Sequence, residues 1–270
     1  MNVATTRRGS GPILVCHPGG PGFAAAELGD LGGLDATREL VLLDPRGTGA
    51  TPAPADPTEY RTDDYVADLD ELREDLALET IDLLGFSHGG IVAIAYAAAH
   101  PAHVRKLVLA SAIAAFTEEG AAEADRIKTA KAGEPWFPAA QAALEQEERG
   151  DYADDDLRAM WKAMAPLYFS QWDAGRYRDW LDAGTEGANA APLRVFNSQP
   201  FDLRPDLGRI DADTLVIAGA DDFICGPVAA EAIAAGIPGA ETVILDGAGH
   251  MTFLEQPEAF RAAVEGFLSR

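Results

Sequence analysis

Short apolar runs, each bounded by Gly, Pro or Asp, punctuate the chain: ILVCH at 13–17, ELVLLD at 39–44, IDLLGF at 81–86, VRKLVLAS at 104–111, TLVIAG at 214–219 and ETVILDG at 241–247. Runs of this length without polar alternation read as strands buried on both faces. Between several of them the pattern turns helical, which predicts helices over 64–78, 88–100, 227–235 and 257–269. Strand and helix in alternation imply a mostly parallel sheet with helices on both sides.

The alternation stops between about Ala112 and Asp211. Acidic, amphipathic stretches over 117–132, 138–149, 154–170 and 175–183 predict helices there, broken at Gly133, Pro135, Gly150 and Gly175. The expected organisation is an α/β core in two parts, 1–111 and 203–270, with a helical cap inserted at 112–202. All four tryptophans fall in that insertion. Most of its aromatic residues should glue the cap helices together, and a minority should face a pocket. Phe23, Trp136, Trp161, Trp172 and Glu186 are the candidates for substrate contact.

Composition narrows the function. With 44 acidic against 21 basic side chains the net charge is -23, a field that repels phosphate backbones and anionic headgroups. Neither nucleic acid nor membrane is an expected partner; a small molecule or short peptide is. Cys16 and Cys225 are the only cysteines, too few for a disulfide framework or a zinc site. The run Ile13 to Cys16 is too short for a secretory core and no stretch approaches a spanning helix, so a cytoplasmic protein is expected. No metal or cofactor is expected.

Gly85-Phe86-Ser87-His88-Gly89 is a G-x-S-x-G pentapeptide between a predicted strand and a predicted helix. A sharp turn there lifts the serine Oγ clear of the sheet, and the helix start offers backbone N–H groups to a developing negative charge. A serine hydroxyl needs a base to take its proton. Of His17, His88, His100, His103 and His250, the last sits in GAGHMTFLEQP, after the final strand, where this architecture places its base. The orienting acid should follow a strand between serine and histidine, and TLVIAGADDFICGP offers Asp221 and Asp222. Asp222 is favoured because its spacing from Gly219 carries the carboxylate beyond the strand end. The loop Cys16-His17-Pro18-Gly19-Gly20-Pro21-Gly22 is nearly bare of side chains, so its backbone can approach a substrate oxygen. The N–H groups of Gly20 and His88 are the expected oxyanion donors. G-x-G-x-x-G spacing and a Walker lysine are both absent, which argues against a phosphate loop.

Together HPGGPG, the turn Asp44-Pro45-Arg46-Gly47-Thr48-Gly49, GFSHGG, GADDFICGP and GAGHMTFLEQPEAF resemble the proline iminopeptidase branch of the α/β-hydrolases. The resemblance implies removal of an N-terminal proline through an acyl-enzyme, with Ser87, Asp222 and His250 as the triad. It also implies that cap glutamates hold the substrate ammonium, with Glu118, Glu119, Glu123 and Glu186 as unranked candidates. Members of that branch begin with a two-stranded hairpin, whereas about ten residues precede the first apolar run here. Esterase, thioesterase or lactonase chemistry is the alternative within enzymes. A ligand-binding protein that lost turnover is the alternative outside them, disfavoured by the complete set of three residues.

Overall fold

The computed structural model describes residues 3–150 and 152–270. Seven strands, β1 (Thr5–Gly9), β2 (Ile13–His17), β3 (Glu39–Leu43), β4 (Ile81–Phe86), β5 (Val104–Ala110), β6 (Asp213–Gly219) and β7 (Glu241–Leu245), form one sheet in the order β1-β3-β2-β4-β5-β6-β7. All neighbours run parallel except β1, which lies antiparallel to β3 with Thr5 opposite Leu43 and Gly9 opposite Glu39. The six apolar runs are the six parallel strands. β4, central and buried along its whole length, ends at the serine turn.

Helices α1 (Thr62–Asp75) and α2 (His88–Ala99) follow β3 and β4. Between β5 and β6 come α3 (Glu118–Ala130), α4 (Phe137–Arg149), α5 (Asp154–Met164), α6 (Ala174–Thr185) and α7 (Ala190–Asn197). The chain closes with α8 (Pro227–Gly236), the single turn α9 (Thr252–Glu255) and α10 (Pro257–Leu268). Because successive strand residues point to opposite faces, the sheet feeds two cores. Val15, Val41, Leu83 and Val216 pack on one side with Leu69 of α1, Val92 of α2 and Ile233 of α8. Leu14, Leu42, Leu84 and Ile217 pack on the other with Phe260 and Val264 of α10. That second core continues without a break into Leu157, Phe169 and Tyr177 of the inserted segment.

The inserted segment leaves and rejoins the body at one point, where Ala115 bridges to Asp202 and the Leu203 N–H donates to Ala114 O at 2.8 Å. Three elements differ from expectation. The helix predicted over 154–170 stops at Met164, and Ala165–Tyr168 is a 3-10 turn. Pro166 explains the stop, since it has no N–H to donate to the carbonyl four residues back. α7, absent from the expected elements, is only eight residues long and carries Pro192 in its first turn, so its apolar face is too short to stand out in the sequence. β1, TTRRG, is exposed at every position, so it has no alternation to betray it; backbone pairing alone makes it a strand. It also pairs with β3 and not with β2, so no hairpin precedes the first parallel strand. Among the described residues no helix is long and apolar enough to cross a membrane.

Candidate active site

Ser87 stands between β4 and α2 with φ 53° and ψ -118°, a left-handed conformation that costs a non-glycine residue about 1–3 kcal/mol. The turn survives because its surroundings leave no alternative. A Cβ on Gly85 would lie 2.7 Å from the Ala93 Cβ, and one on Gly89 would strike the carbonyls of His17 and Pro18. The Ser87 N–H donates to Ala110 O at 3.0 Å, pinning the turn to β5. The next residue, His88, opens α2, whose first N–H groups have no intrahelical acceptor.

Asp222 and His250 come from the loops after β6 and β7. Asp222 is fully buried and its Oδ2 lies 2.8 Å from His250 Nδ1. Its other oxygen accepts the N–H groups of Ile224 and Cys225 at 2.9 and 3.0 Å. Burial pushes this carboxyl up, but the facing His250 and the two backbone donors outweigh it and hold it below the usual carboxylate range. Asp221 points elsewhere, accepting the Ser170 hydroxyl at 2.6 Å. A carboxylate that fixes Nδ1 leaves Nε2 free to act as a base.

The backbone of His250 is clamped at both ends. Its N–H donates to Tyr168 O at 2.7 Å, and its carbonyl accepts the buried Ser111 hydroxyl at 2.8 Å. Its ring packs on Phe86 and Tyr168, with centroids 5.1 and 5.3 Å away. Glu255 braces the same loop: its carboxylate accepts the N–H groups of Gly249, Ser170 and Gln171 at 2.7, 3.1 and 3.1 Å. Sequence reasoning missed Ser111 and Glu255. Glu255 lies in the same GAGHMTFLEQP segment as His250, but only the fold brings residues 170 and 171 to it.

A cavity of about 480 Å³ opens above Ser87. Gly20, His88 and His250 share its floor with the serine, and Ile91, Trp161, Tyr168 and Phe196 form much of its wall. Gly20 has φ 107°, and its N–H donates to no acceptor among the described residues. Two buried histidines support this floor. His17 is pushed down to about 4 by burial, against the pull of its bond to Pro18 O, and His88 to about 3 by burial and the nearby His17. Both imidazoles are therefore neutral at pH 7, and neither adds charge to the cavity floor.

The predicted contact residues scatter. Trp161 lines the cavity; Phe23 is buried behind it, with ring centroids 5.1 Å apart. Trp136 and Trp172 line a separate cavity of about 300 Å³ with Lys131 and Asp221. Glu118, Glu119 and Glu186 are exposed, and Glu123 is spent on the Val228 N–H at 3.3 Å. The acids in the wall above Ser87 are instead Asp125, Glu147 and Glu148 from the inserted segment and Glu27 from the loop after β2. Their positions on the helix faces carried no signal that distinguishes them from solvated neighbours. Among the described residues, two clusters bring possible metal-ligand atoms within 4.8 Å, Asp222-Cys225-His250 and Asp70-His100-His103. Asp222 is already committed to His250 and two backbone donors, and Asp70 to Arg73, Tyr96 and His103.

The motif outside the cavity is a set of clamps. Arg46 reaches both oxygens of Asp68 at 2.8 Å, and Asp44 accepts the Ala25 and Ala50 N–H groups at 3.0 and 2.9 Å. The DPRGTG turn thereby holds the end of the glycine loop against the sheet.

Residues 12–257 match the family model described as alpha/beta hydrolase fold. A curated proline iminopeptidase of Lactobacillus helveticus is 28% identical, the alignment covering 97% of this chain and 92% of that one. Among solved structures, an esterase from Exiguobacterium antarcticum superposes with a TM-score of 0.77 at 23% identity, over 99% of this chain and 96% of that one. An enol-lactonase from Burkholderia xenovorans LB400 gives 0.76 at 22%, over the same shares of the two chains. At those identities the two structures speak to fold alone. The chain belongs to the α/β-hydrolase family.

Proposed function

We propose that the chain is a serine hydrolase that cleaves a small amide or ester through an acyl-enzyme, with N-terminal prolyl peptides as the specific substrate class. The buried Asp222–His250 pair and the strained Ser87, with His250 and Ser87 lining one cavity, carry this reading. Ser87 Oγ attacks the acyl carbon as its proton passes to His250 Nε2. The N–H groups of Gly20 and His88 take the oxyanion that forms. The bond to the leaving group then breaks as His250 returns the proton to it, and water repeats the sequence to free the acid. Asp222 stays ionised throughout and holds the imidazole in one tautomer.

The prolyl preference draws on the sequence likeness to proline iminopeptidases and on the carboxyls in the cavity wall. A charged amine cannot be buried cheaply without such a partner. The competing reading, ester or lactone hydrolysis, draws on the apolar remainder of the wall and on Phe116, which is 69% exposed at the cavity mouth. Residues 112–202 act as the lid in either case. The two buried, unpaired thiols Cys16 and Cys225 suit a reducing, cytoplasmic setting. Proline 4-nitroanilide and short p-nitrophenyl esters separate the two readings: turnover of the anilide supports the peptidase, and ester cleavage without it overturns that specificity. A fluorophosphonate should label Ser87 in both cases. Absence of labelling would overturn the serine-hydrolase reading and leave a ligand-binding protein.

A further inference from the structure

Glu27 sits in the 3-10 turn Ala25–Leu28 that follows the glycine loop, and it is 3% exposed. One carboxylate oxygen accepts the Gly19 N–H, one residue before the oxyanion donor Gly20. Its main-chain carbonyl accepts the Trp180 indole N–H at 2.8 Å, and Gly184 of α6 packs on its Cβ. What remains is the second oxygen. No hydrogen bond or ion pair reaches it, and it is not among the sealed polar atoms of the described residues. Since Glu27 lines the cavity above Ser87, that oxygen opens onto the cavity.

A buried carboxyl with one backbone donor and no counter-charge is costly to ionise. Burial, only partly offset by the Gly19 N–H, pushes Glu27 up to about 8. The cations in the cavity wall do not relieve it. Lys128 pairs with Asp125 at 3.0 Å and Arg204 with Asp202 at 2.6 Å. The helix faces that pack on Glu27 bring an indole and a glycine, and no cation.

We propose that Glu27 is a specificity residue: its open carboxylate oxygen takes a protonated amine on the acyl side of the scissile bond, within one residue of the carbonyl. The Gly19 bond fixes the distance, because the carboxyl is anchored to the loop that binds the carbonyl oxygen. A substrate with a free or cyclic α-ammonium supplies the counter-charge that the protein lacks, and ionises Glu27 as it binds. A neutral ester leaves the carboxyl protonated. This deepens the proposed function and rests on its assignment of Ser87. It places the charge selection on the core loop, apart from the cap acids Asp125, Glu147 and Glu148.

Two boronic acids that trap Ser87 test it: pyrrolidine-2-boronic acid and cyclopentylboronic acid, which differ only in a ring NH2⁺ replaced by CH2. The wild-type protein should bind the cationic one about 10- to 100-fold more tightly, the range of one charge-assisted hydrogen bond. In Glu27→Gln, which keeps an acceptor for Gly19, that ratio should fall to near unity, while in Glu147→Gln it should persist. Thermal unfolding of each variant guards against a folding defect, and Glu27→Asp, with charge kept and reach shortened, should retain part of the preference. A ratio unchanged in Glu27→Gln, or lost in Glu147→Gln instead, overturns the proposal and leaves the peptidase reading standing if proline 4-nitroanilide is cleaved. A wild-type protein with no preference for the cation overturns it as well. A Glu27-dependent preference without anilide cleavage would sink the peptidase reading alone.

Discussion

Two adjacent aspartates on the loop after β6 have different partners. Asp222 faces His250, and Asp221 faces the Ser170 hydroxyl of the inserted segment. Asp222→Asn should therefore lower kcat by about a thousandfold or more with little change in KM, because the imidazole loses its oriented tautomer. Asp221→Asn should stay within a few-fold of wild type; the reverse ranking in steady-state kinetics would exchange their roles. Ser87→Ala removes the attacking atom and relieves a strained backbone only slightly, so turnover should vanish while the melting temperature holds. Residual activity within a few-fold of wild type would refute the nucleophile. The proposed residues stand out in the sequence because each lies in a short motif, and the Asp222–His250 contact is the part that the fold brings together. Glu27 does not stand out, since FAAAELG looks like any turn and burial depends on α6, which is more than 140 residues away in sequence.

The segment that follows α5 joins the inserted helices to the loop that carries His250. Tyr168 O accepts the His250 N–H, Lys131 holds the Leu167 carbonyl at 3.1 Å along with that of Phe169, and Glu255 collects the N–H groups of 170 and 171 with that of Gly249. Glu255→Ala frees all three donors at once. Its expected signature is a drop in kcat of about 10- to 100-fold with KM moved by less than a few-fold, since His250 loses its position and the cavity keeps its walls. Glu255→Gln should recover part of the rate by restoring one acceptor. Equal losses in kcat and stability with no rescue would make Glu255 a mere scaffold. The six parallel strands and most helices were readable from apolar runs and their spacing. The stop at Met164 is also written in the sequence, where Pro166 interrupts the apolar period that runs on to Phe169. β1 was not readable, because backbone pairing with β3 makes it, and α7 was hidden by its eight-residue length and by Pro192 in its first turn.

For the whole molecule, three buried groups near the glycine loop shape stability against pH. His17 and His88 have folded values of about 4 and 3 against an ordinary 6.5, so their contribution is present above about pH 6.5 and is lost as pH falls, when the unfolded chain binds protons that the native state refuses. Glu27 acts oppositely. Its folded value of about 8 against 4.5 means that the native state holds an extra proton between those limits, and stability is lost as pH rises through that window. Glu147 and Glu255, also raised by burial, add to the alkaline arm. Urea midpoints should therefore peak near pH 6.5, and Glu27→Gln should flatten the alkaline side; a midpoint still rising at pH 8.5 would contradict this.

The polar strand β1 has a consequence at the scale of many molecules. It is one edge of the sheet, β7 being the other, and its Arg7 and Arg8 pair with Glu39 at 2.7 Å and Asp35 at 3.8 Å. An unpaired strand margin is a template for another chain, and charged side chains are what blunt it. A second copy approaching that margin would meet two arginines already neutralised on one side, and behind them a body carrying -23. Replacing both with valine would convert TTRRG into TTVVG, a run with strong strand preference and no charge. The double variant should keep its turnover at low concentration and form soluble oligomers, then aggregates, as concentration rises in sedimentation experiments. A variant that stays monomeric would show that the acidic body alone keeps copies apart. Five residues with no part in the chemistry would otherwise decide how crowded the enzyme can be before its sheets begin to join.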